Sequence, residues 1–274
     1  MGWRNVWMVP KIIHYCWFGG APMPPSVQNC IDSWKKYCPD YELRLWDEKS
    51  FPLSSCSYVQ EDYRNRKWAF VTDYVRFDVL YRYGGVYFDT DVELIRGIDD
   101  LVAKGPFMAM EGESECMVAT GLGMASDKGN PLLKEILDYY HNAHFEEENG
   151  YLSTRNTVVE IVSNLLKKKG FRNENRIQEI AGFTIYPPSW FCPYDYSTGK
   201  LTITEDTRSI HHYDASWKTG KEKKWHDFRV RFANRHGYEA ANRFFANPVV
   251  RGVGSLYRNG LKRSIQIVKA STRK

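Results

Sequence analysis

From the N-terminus, VPKIIHYCWFGG sets an apolar run, Ile12 to Trp17, against a glycine pair, which predicts a short buried strand that stops at the glycines. Apolar residues at helical spacing in SVQNCIDSWKKYCPD predict a helix that its proline closes, and the alternation in YELRLWD predicts the next strand. Strand, helix and strand in that order favour a sheet with parallel strands and helices on its faces. From Trp68 to Tyr83, residues Phe70, Val71, Tyr74, Phe77 and Leu80 or Tyr81 recur at offsets of three and four, the mark of an amphipathic helix, and Gly84 is placed to cap its last turn. VYF follows as a strand. Further on, NPLLKEILDYYHNAH and STRNTVVEIVSNLLKKKG predict helices, the second running from Ser153 or Thr154 to Gly170. GFTIYPPSWFCP predicts a strand entering a proline-rich loop, and RSIHHYDASW a last strand with a tryptophan turn.

A chain of 274 residues, 43% hydrophobic and 15% aromatic, has ample material for a sizeable core, which excludes general disorder. No apolar run approaches the roughly 20 residues that span a bilayer, and the opening residues lack the pattern of a secretory signal, so a cytoplasmic location is expected. The six cysteines are scattered without metal-binding spacing and read as reduced, mostly buried thiols. Charge changes the picture more. The net +5 conceals a division: Lys218 to Lys274 carries 15 Lys and Arg against 3 acids, whereas the preceding residues carry 23 against 30. The expected organisation is therefore one acidic α/β domain over 1–217 and a basic helical tail over 218–274. In the tail Trp225, Phe228, Phe232, Phe244 and Phe245 are interleaved with cations, a composition that suits an anionic membrane surface or nucleic acid.

Candidate chemistry centres on GGVYFDTDVEL, residues 84 to 94, where Asp89 and Asp91 follow a buried strand. On extended backbone, side chains two apart share a side, with Cα atoms about 6 to 7 Å apart. Two converging carboxylates repel, so they take up a proton or hold a hard divalent cation, Mg²⁺ or Mn²⁺. The C-terminal end of a strand is also where open α/β sheets bind ligands. In the preceding helix Asp73 and Arg76 lie three apart on one face; they form either a local salt bridge or a pair that meets sugar hydroxyls and a phosphate.

KIIHYCWFGG, then WAFVTDYVRFDVLYRYGGVYFDTD, then IHHYDASW together resemble glycosyltransferase family 32, the DxD-containing sugar transferases that include bacterial capsule and O-antigen enzymes, yeast mannosyltransferases and the catalytic domains of large clostridial toxins. The likeness covers residues 9 to 110 well and 180 to 217 more loosely. It implies a GT-A fold, a Rossmann-like mixed sheet flanked by helices. It implies too that Trp17 stacks on a nucleobase, with the backbone of Tyr15 to Phe18 at the base edge. Asp73 would hold donor sugar hydroxyls, Arg76 would support the sugar or phosphates, and Tyr87 would approach the phosphate or ribose. Asp89 would face ribose and metal, and Asp91 would ligate the metal. His211 or His212 would supply a further ligand; adjacent strand residues face opposite sides, so only one would reach the site, and His211 is favoured because the apolar residue before it suits the related pattern. Ser216 and Trp217 would close over the diphosphate.

The implied reaction is metal-dependent transfer, with retention, from a nucleotide sugar to a glycan in surface polysaccharide synthesis. A UDP-sugar is the first expectation and GDP-mannose the second. No residue stands out as an enzyme nucleophile, so a front-face mechanism is implied, and Glu111 and Glu113 in MEGESE lie where donor or acceptor contacts arise. A lipid-linked glycan acceptor is expected, with the tail resting on the inner face of the cytoplasmic membrane; nucleic acid is not an expected partner. Two rivals stand beside this reading. One is a catalytically lapsed nucleotide-sugar or carbohydrate binder, against which intact Asp73, Arg76, Asp89 and Asp91 argue. The other is a nucleic-acid-binding protein resting on the tail alone, which leaves the aspartate pair unexplained.

Overall fold

The computed structural model describes residues 9–112, 115–142, 147–148, 151–152, 157–196, 199–213 and 220–271. They fall into two compact units, one of Met1–Pro193 with Thr202–Tyr213, the other of Tyr194–Leu201 with Asp214–Lys274. The paired strands Tyr194–Asp195 and Lys200–Leu201 thus group with the C-terminal helices.

The first unit opens as its pattern predicts. Strand β1 (Ile12–Cys16) leads into helix Pro25–Tyr37 and returns as β2 (Glu42–Trp46), parallel to β1. The strand β3 (Gly85–Tyr87) lies parallel to β1 on its other side. Beyond it the sheet turns mixed: β7 (Met124–Ser126) runs antiparallel to β3 and to β5 (Phe107–Glu111). Strand Phe183–Tyr186 adds parallel to β5, Gln178–Ile180 closes that edge antiparallel, and β6 (Met117–Val118) pairs with β5 off the main path. The α/β class with a mixed sheet flanked by helices is therefore what the chain adopts.

Alternation along β5 assigns its side chains to the two faces of the sheet: Met108 and Met110 pack with Phe77, Leu80 and Ile136, whereas Phe107 and Ala109 pack with Trp34, Phe88 and Phe191. Helix Trp68–Tyr83 spans the residues expected, but it is not simply amphipathic, since Val75, Val79, Asp73 and Arg76 are buried along with the apolar stripe. It ends at Gly84, whose φ of 67° and whose amide bond to the Leu80 carbonyl (2.8 Å) close the last turn. Gly85 follows because β1 runs so close beside it. A Cβ there would lie 2.6 Å from the Ile12 carbonyl oxygen, which no side chain tolerates.

Two elements differ from expectation. Helix Val158–Lys167 starts later than Ser153 or Thr154, because Thr157 and Glu160 make a reciprocal capping box; 153–156 lie outside the described residues. The strand Ser209–His211 stays out of the main sheet and pairs antiparallel with β4 (Val92–Leu94), His211 opposite Val92. That small ladder carries the C-terminal end of the first unit to the two aspartates. In the second unit, helices Gly220–His236, Tyr238–Ala246 and Pro248–Ser271 gather around Ala233, Ala241 and Phe245.

Candidate active site

Asp89 and Asp91 converge, but by a turn and not by extended alternation: β3 ends at Tyr87, and the Val92 amide donates to the Asp89 carbonyl (3.1 Å), folding the pair back on itself. The antiparallel ladder of β4 with Ser209–His211 then sets His211 beside them. Its Nε2 lies 3.0 Å from Asp91 Oδ1. One ligand atom from each of Asp89, Asp91 and His211 fits within 4.8 Å of the others. His212, on the other side of the strand, meets Glu93 at 2.8 Å and stays out of this group.

Behind the cluster lies a buried cation. Arg76 reaches Asp73 Oδ1 at 2.9 Å and donates to Asp89 Oδ1 at 3.2 Å and to Thr120 Oγ1 at 3.3 Å, and its guanidinium stands 5.1 Å over the Tyr87 ring. Burial disfavours the Arg76 charge, but Asp89, Tyr87 and Asp73 override that cost and hold the proton more firmly than usual. The Asp73–Arg76 pair is thus the salt bridge weighed above, but sunk in the protein and shared with Asp89. Tyr87 does not reach outward to a phosphate; it is buried, and its hydroxyl donates to Asp89 Oδ1 at 3.0 Å. Burial also pushes that hydroxyl's pKa well above its ordinary value, so it remains a donor.

The loop Thr120–Gly123 completes the floor. The Asp89 amide donates to the Gly121 carbonyl (2.9 Å), and a Cβ on Gly121 would fall 1.9 Å from Asp89 Oδ2. Only glycine leaves that carboxylate its place. The sequence reading passed over Gly121, although its signal is visible: two glycines two apart, in ATGLGMAS, beside a strand that must come close to another backbone.

Tyr213 was also passed over. Its ring centroid is 4.1 Å from that of His211, its hydroxyl lies 2.9 Å from Cys192 Sγ and donates to Glu111 Oε2 at 3.3 Å, and its φ of 52° is a left-handed conformation that a tyrosine rarely takes. Glu111 has its pKa raised, burial prevailing over the neighbouring His211 and the Tyr213 hydrogen bond. For His211 burial works against the charged form, but Asp91 above all, with Asp89 and Glu111, reverses the outcome and raises its pKa.

The other candidates divide. Trp17 is half-buried, its Nε1 donating to the Ala21 carbonyl at 2.6 Å, and Tyr15 meets Trp34 edge-on at 5.4 Å. The Phe18 side chain belongs to the core, 6% exposed against Phe51, so only its backbone can meet a ligand. Glu113, Ser216 and Trp217 lie outside the described residues.

Two carboxylates and an imidazole within reach of one another, at the C-terminal end of a buried strand in an α/β sheet, make a donor set that could hold a divalent ion. The class is an α/β fold that brings two aspartates and a histidine together at the end of a sheet strand. Residues 24–108 match the family model described as "Glycosyltransferase sugar-binding region containing DXD motif", and that segment carries Asp73, Arg76, Asp89 and Asp91.

Among curated relatives, Inositol phosphoceramide mannosyltransferase 3 of Schizosaccharomyces pombe is 28% identical over 175 residues, covering 58% of this chain and 46% of the relative. Inositol phosphoceramide mannosyltransferase 1 of the same yeast is 30% identical over 107 residues, covering 36% and 33%. The matches thus span less than half the length of these relatives. Among solved structures, one titled "PaToxG Glycosyltransferase" has a TM-score of 0.44 at 18% identity, covering 59% of this chain and 70% of that one. A glycosyltransferase involved in the glycosylation of the major capsid of PBCV-1 has a TM-score of 0.39 at 12% identity, covering 81% and 100%.

Proposed function

We propose that this chain is a metal-dependent, retaining glycosyltransferase that moves a sugar from a nucleotide-sugar donor to a glycan. The single observation that supports this most is the convergence of Asp89, Asp91 and His211 beside a buried Arg76, with Arg76 and both aspartates inside the segment that matches the DXD region. In this reading those three residues hold Mn²⁺ or Mg²⁺. The ion supplies neutralising charge to the diphosphate that departs, which is where negative charge develops.

The chain's own groups do the rest. Arg76 and Tyr87 fix Asp89 through the same oxygen, Oδ1, so the carboxylate is oriented before anything binds. Asp73, 8% exposed and anchored by Arg76, accepts hydrogen bonds from sugar hydroxyls. Trp17 offers a ring to the nucleobase. The donor is a UDP-sugar in the first instance; the names of the fungal relatives bring GDP-mannose forward as the second. The acceptor is a lipid-linked glycan, the setting surface polysaccharide synthesis of the capsule or O-antigen kind, and the place the cytoplasmic side of a membrane.

Calorimetric titration of UDP-sugars and GDP-mannose with and without Mn²⁺, followed by NMR of the product anomer, tests the reading. Donor binding that rises with Mn²⁺ and a retained anomer support it. Donor binding indifferent to Mn²⁺, or an inverted product, overturns it.

A further inference from the structure

In the second unit, exposed apolar side chains gather on one helix. In Pro248–Ser271, which leaves helical geometry at Gly260 (φ 73°, ψ 171°), Val249, Val253 and Leu256 are 73%, 55% and 44% exposed. Spacings of four and three put them on one face, with the half-exposed Tyr257 next to it. A neighbouring stripe seats the helix. Val250 packs on the cluster of Ala233, Ala241 and Phe245, and a Cβ on Gly254 would come within 2.4 Å of the Trp225 ring. The aliphatic stripe is therefore turned away from the unit's own core. Charge adds a second observation: from Ala240 to Lys274 the sequence holds eight Lys and Arg and not one Asp or Glu.

We propose that the face of Val249, Val253 and Leu256 docks on an anionic lipid membrane. Aliphatic side chains gain by entering the boundary between headgroups and acyl chains, and an acid-free cationic helix is drawn to an anionic leaflet. Nucleic acid would reward the cations but leave the three aliphatic side chains in water. A second copy of the chain would bring one acid-free cationic helix against another, which like charges oppose. The inference deepens the lipid-linked acceptor of the proposed function and rests on that reading for its biological sense.

Flotation of the full chain with vesicles of phosphatidylcholine alone and with phosphatidylglycerol added tests it. The chain is expected to float with the phosphatidylglycerol vesicles, less so at high salt. Val253→Asp with Leu256→Asp should lower the partition coefficient by at least about ten-fold, since two apolar side chains then cannot enter the boundary. Ile203→Asp, at a half-exposed position of the other unit, should leave it unchanged. If the double aspartate variant loses its helical circular dichroism, Val253→Ser with Leu256→Ser repeats the measurement.

Equal flotation of wild type and double variant overturns the proposal. So does failure of the wild type to float while it binds duplex DNA or self-associates through this face. Manganese-dependent donor hydrolysis in solution separates the two readings. It should persist in the double variant, and its absence from a wild type that floats would sink the sugar-transfer reading and leave the membrane face standing.

Discussion

Two adjacent histidines, His211 at the end of a strand and His212 just past it, each meet a carboxylate, and they live in different worlds. His211 and Asp91 have side chains 13% and 16% exposed; His212 and Glu93 are 42% and 41% exposed. The chemistry of the pairs is the same, and both distances are hydrogen-bonded, 3.0 and 2.8 Å. What differs is what lies behind them. Asp91 adjoins Asp89, which is gripped by Arg76 and Tyr87, and His211 carries Tyr213 on its ring. Glu93 and His212 face water, where an ion pair is worth about 0 to 1 kcal/mol. Alternation sends the two histidines to opposite sides, and the turn at 89–92 brings Asp91 to His211 and not to His212.

The strongest way to break the comparison is to remove its support. Arg76→Met would leave Asp73 and Asp89 beside a buried apolar side chain, and removing one partner of a buried ion pair typically costs about 3 to 5 kcal/mol. A large drop in the urea midpoint is expected; an unchanged midpoint would mean that Arg76 is not the counter-charge. Asp91→Asn leaves the shape in place but weakens the donor set, and metal-dependent transfer should fall on the order of 1,000-fold, the several kcal/mol that charge neutralisation contributes. Activity retained with Mn²⁺ would detach Asp91 from the ion.

Gly121→Ala sharpens the same point by geometry alone. Its Cβ would need the space of Asp89 Oδ2, 1.9 Å away, so the carboxylate must rotate off Arg76. Overpacking of this kind costs about 1 to 3 kcal/mol. The diagnostic is that manganese binding, read by calorimetry, should be lost at a temperature where the variant is still folded.

A third histidine extends the comparison to the fully buried limit. His14 is 0% exposed; Trp46 Nε1 donates to its Nδ1 at 3.0 Å, so the proton sits on Nε2 and goes to the Gly84 carbonyl at 2.9 Å. Burial chiefly lowers its pKa to about 4 from 6.5. A histidine held neutral contributes stability that is full above its unfolded pKa and drains away as the pH falls from about 6.5 to about 4, up to about 3 kcal/mol in all. Compared with wild type, His14→Gln should show a flatter fall of stability over that window. A parallel fall in both would remove His14 from the account.

Much of this was legible in the chain. Helix Trp68–Tyr83 was readable to the residue because its apolar spacing is long and Gly84 stops it. The aspartate pair stood out because acids rarely follow a buried strand. What the sequence hid were relations across the chain. The β5–β7 antiparallel insertion is carried by short segments, such as FMAME and MAS, without alternation to announce them. That Tyr87 turns inward to Asp89, and that Arg76 meets two acids and not one, depends on a turn at 89–92 that a three-residue strand does not reveal. Gly121 needs its glycine for a clash, not for a positive φ: the paired glycines of ATGLGMAS signal a close approach, but not that Asp89, 32 residues away, is what approaches.

The smallest expected effect is the one that tests whether position or chemistry makes the ligand. His212→Ala removes an exposed pair with Glu93, so stability should change by less than about 0.5 kcal/mol and manganese affinity by less than about two-fold. His211→Ala, one residue earlier, should weaken manganese at least about ten-fold, because it deletes a donor from the cluster. Calorimetry on both variants reads the two numbers on one scale. If they came out equal, strand alternation would not be selecting the ligand, and the half-buried pair would be a structural clasp that happens to lie beside two aspartates.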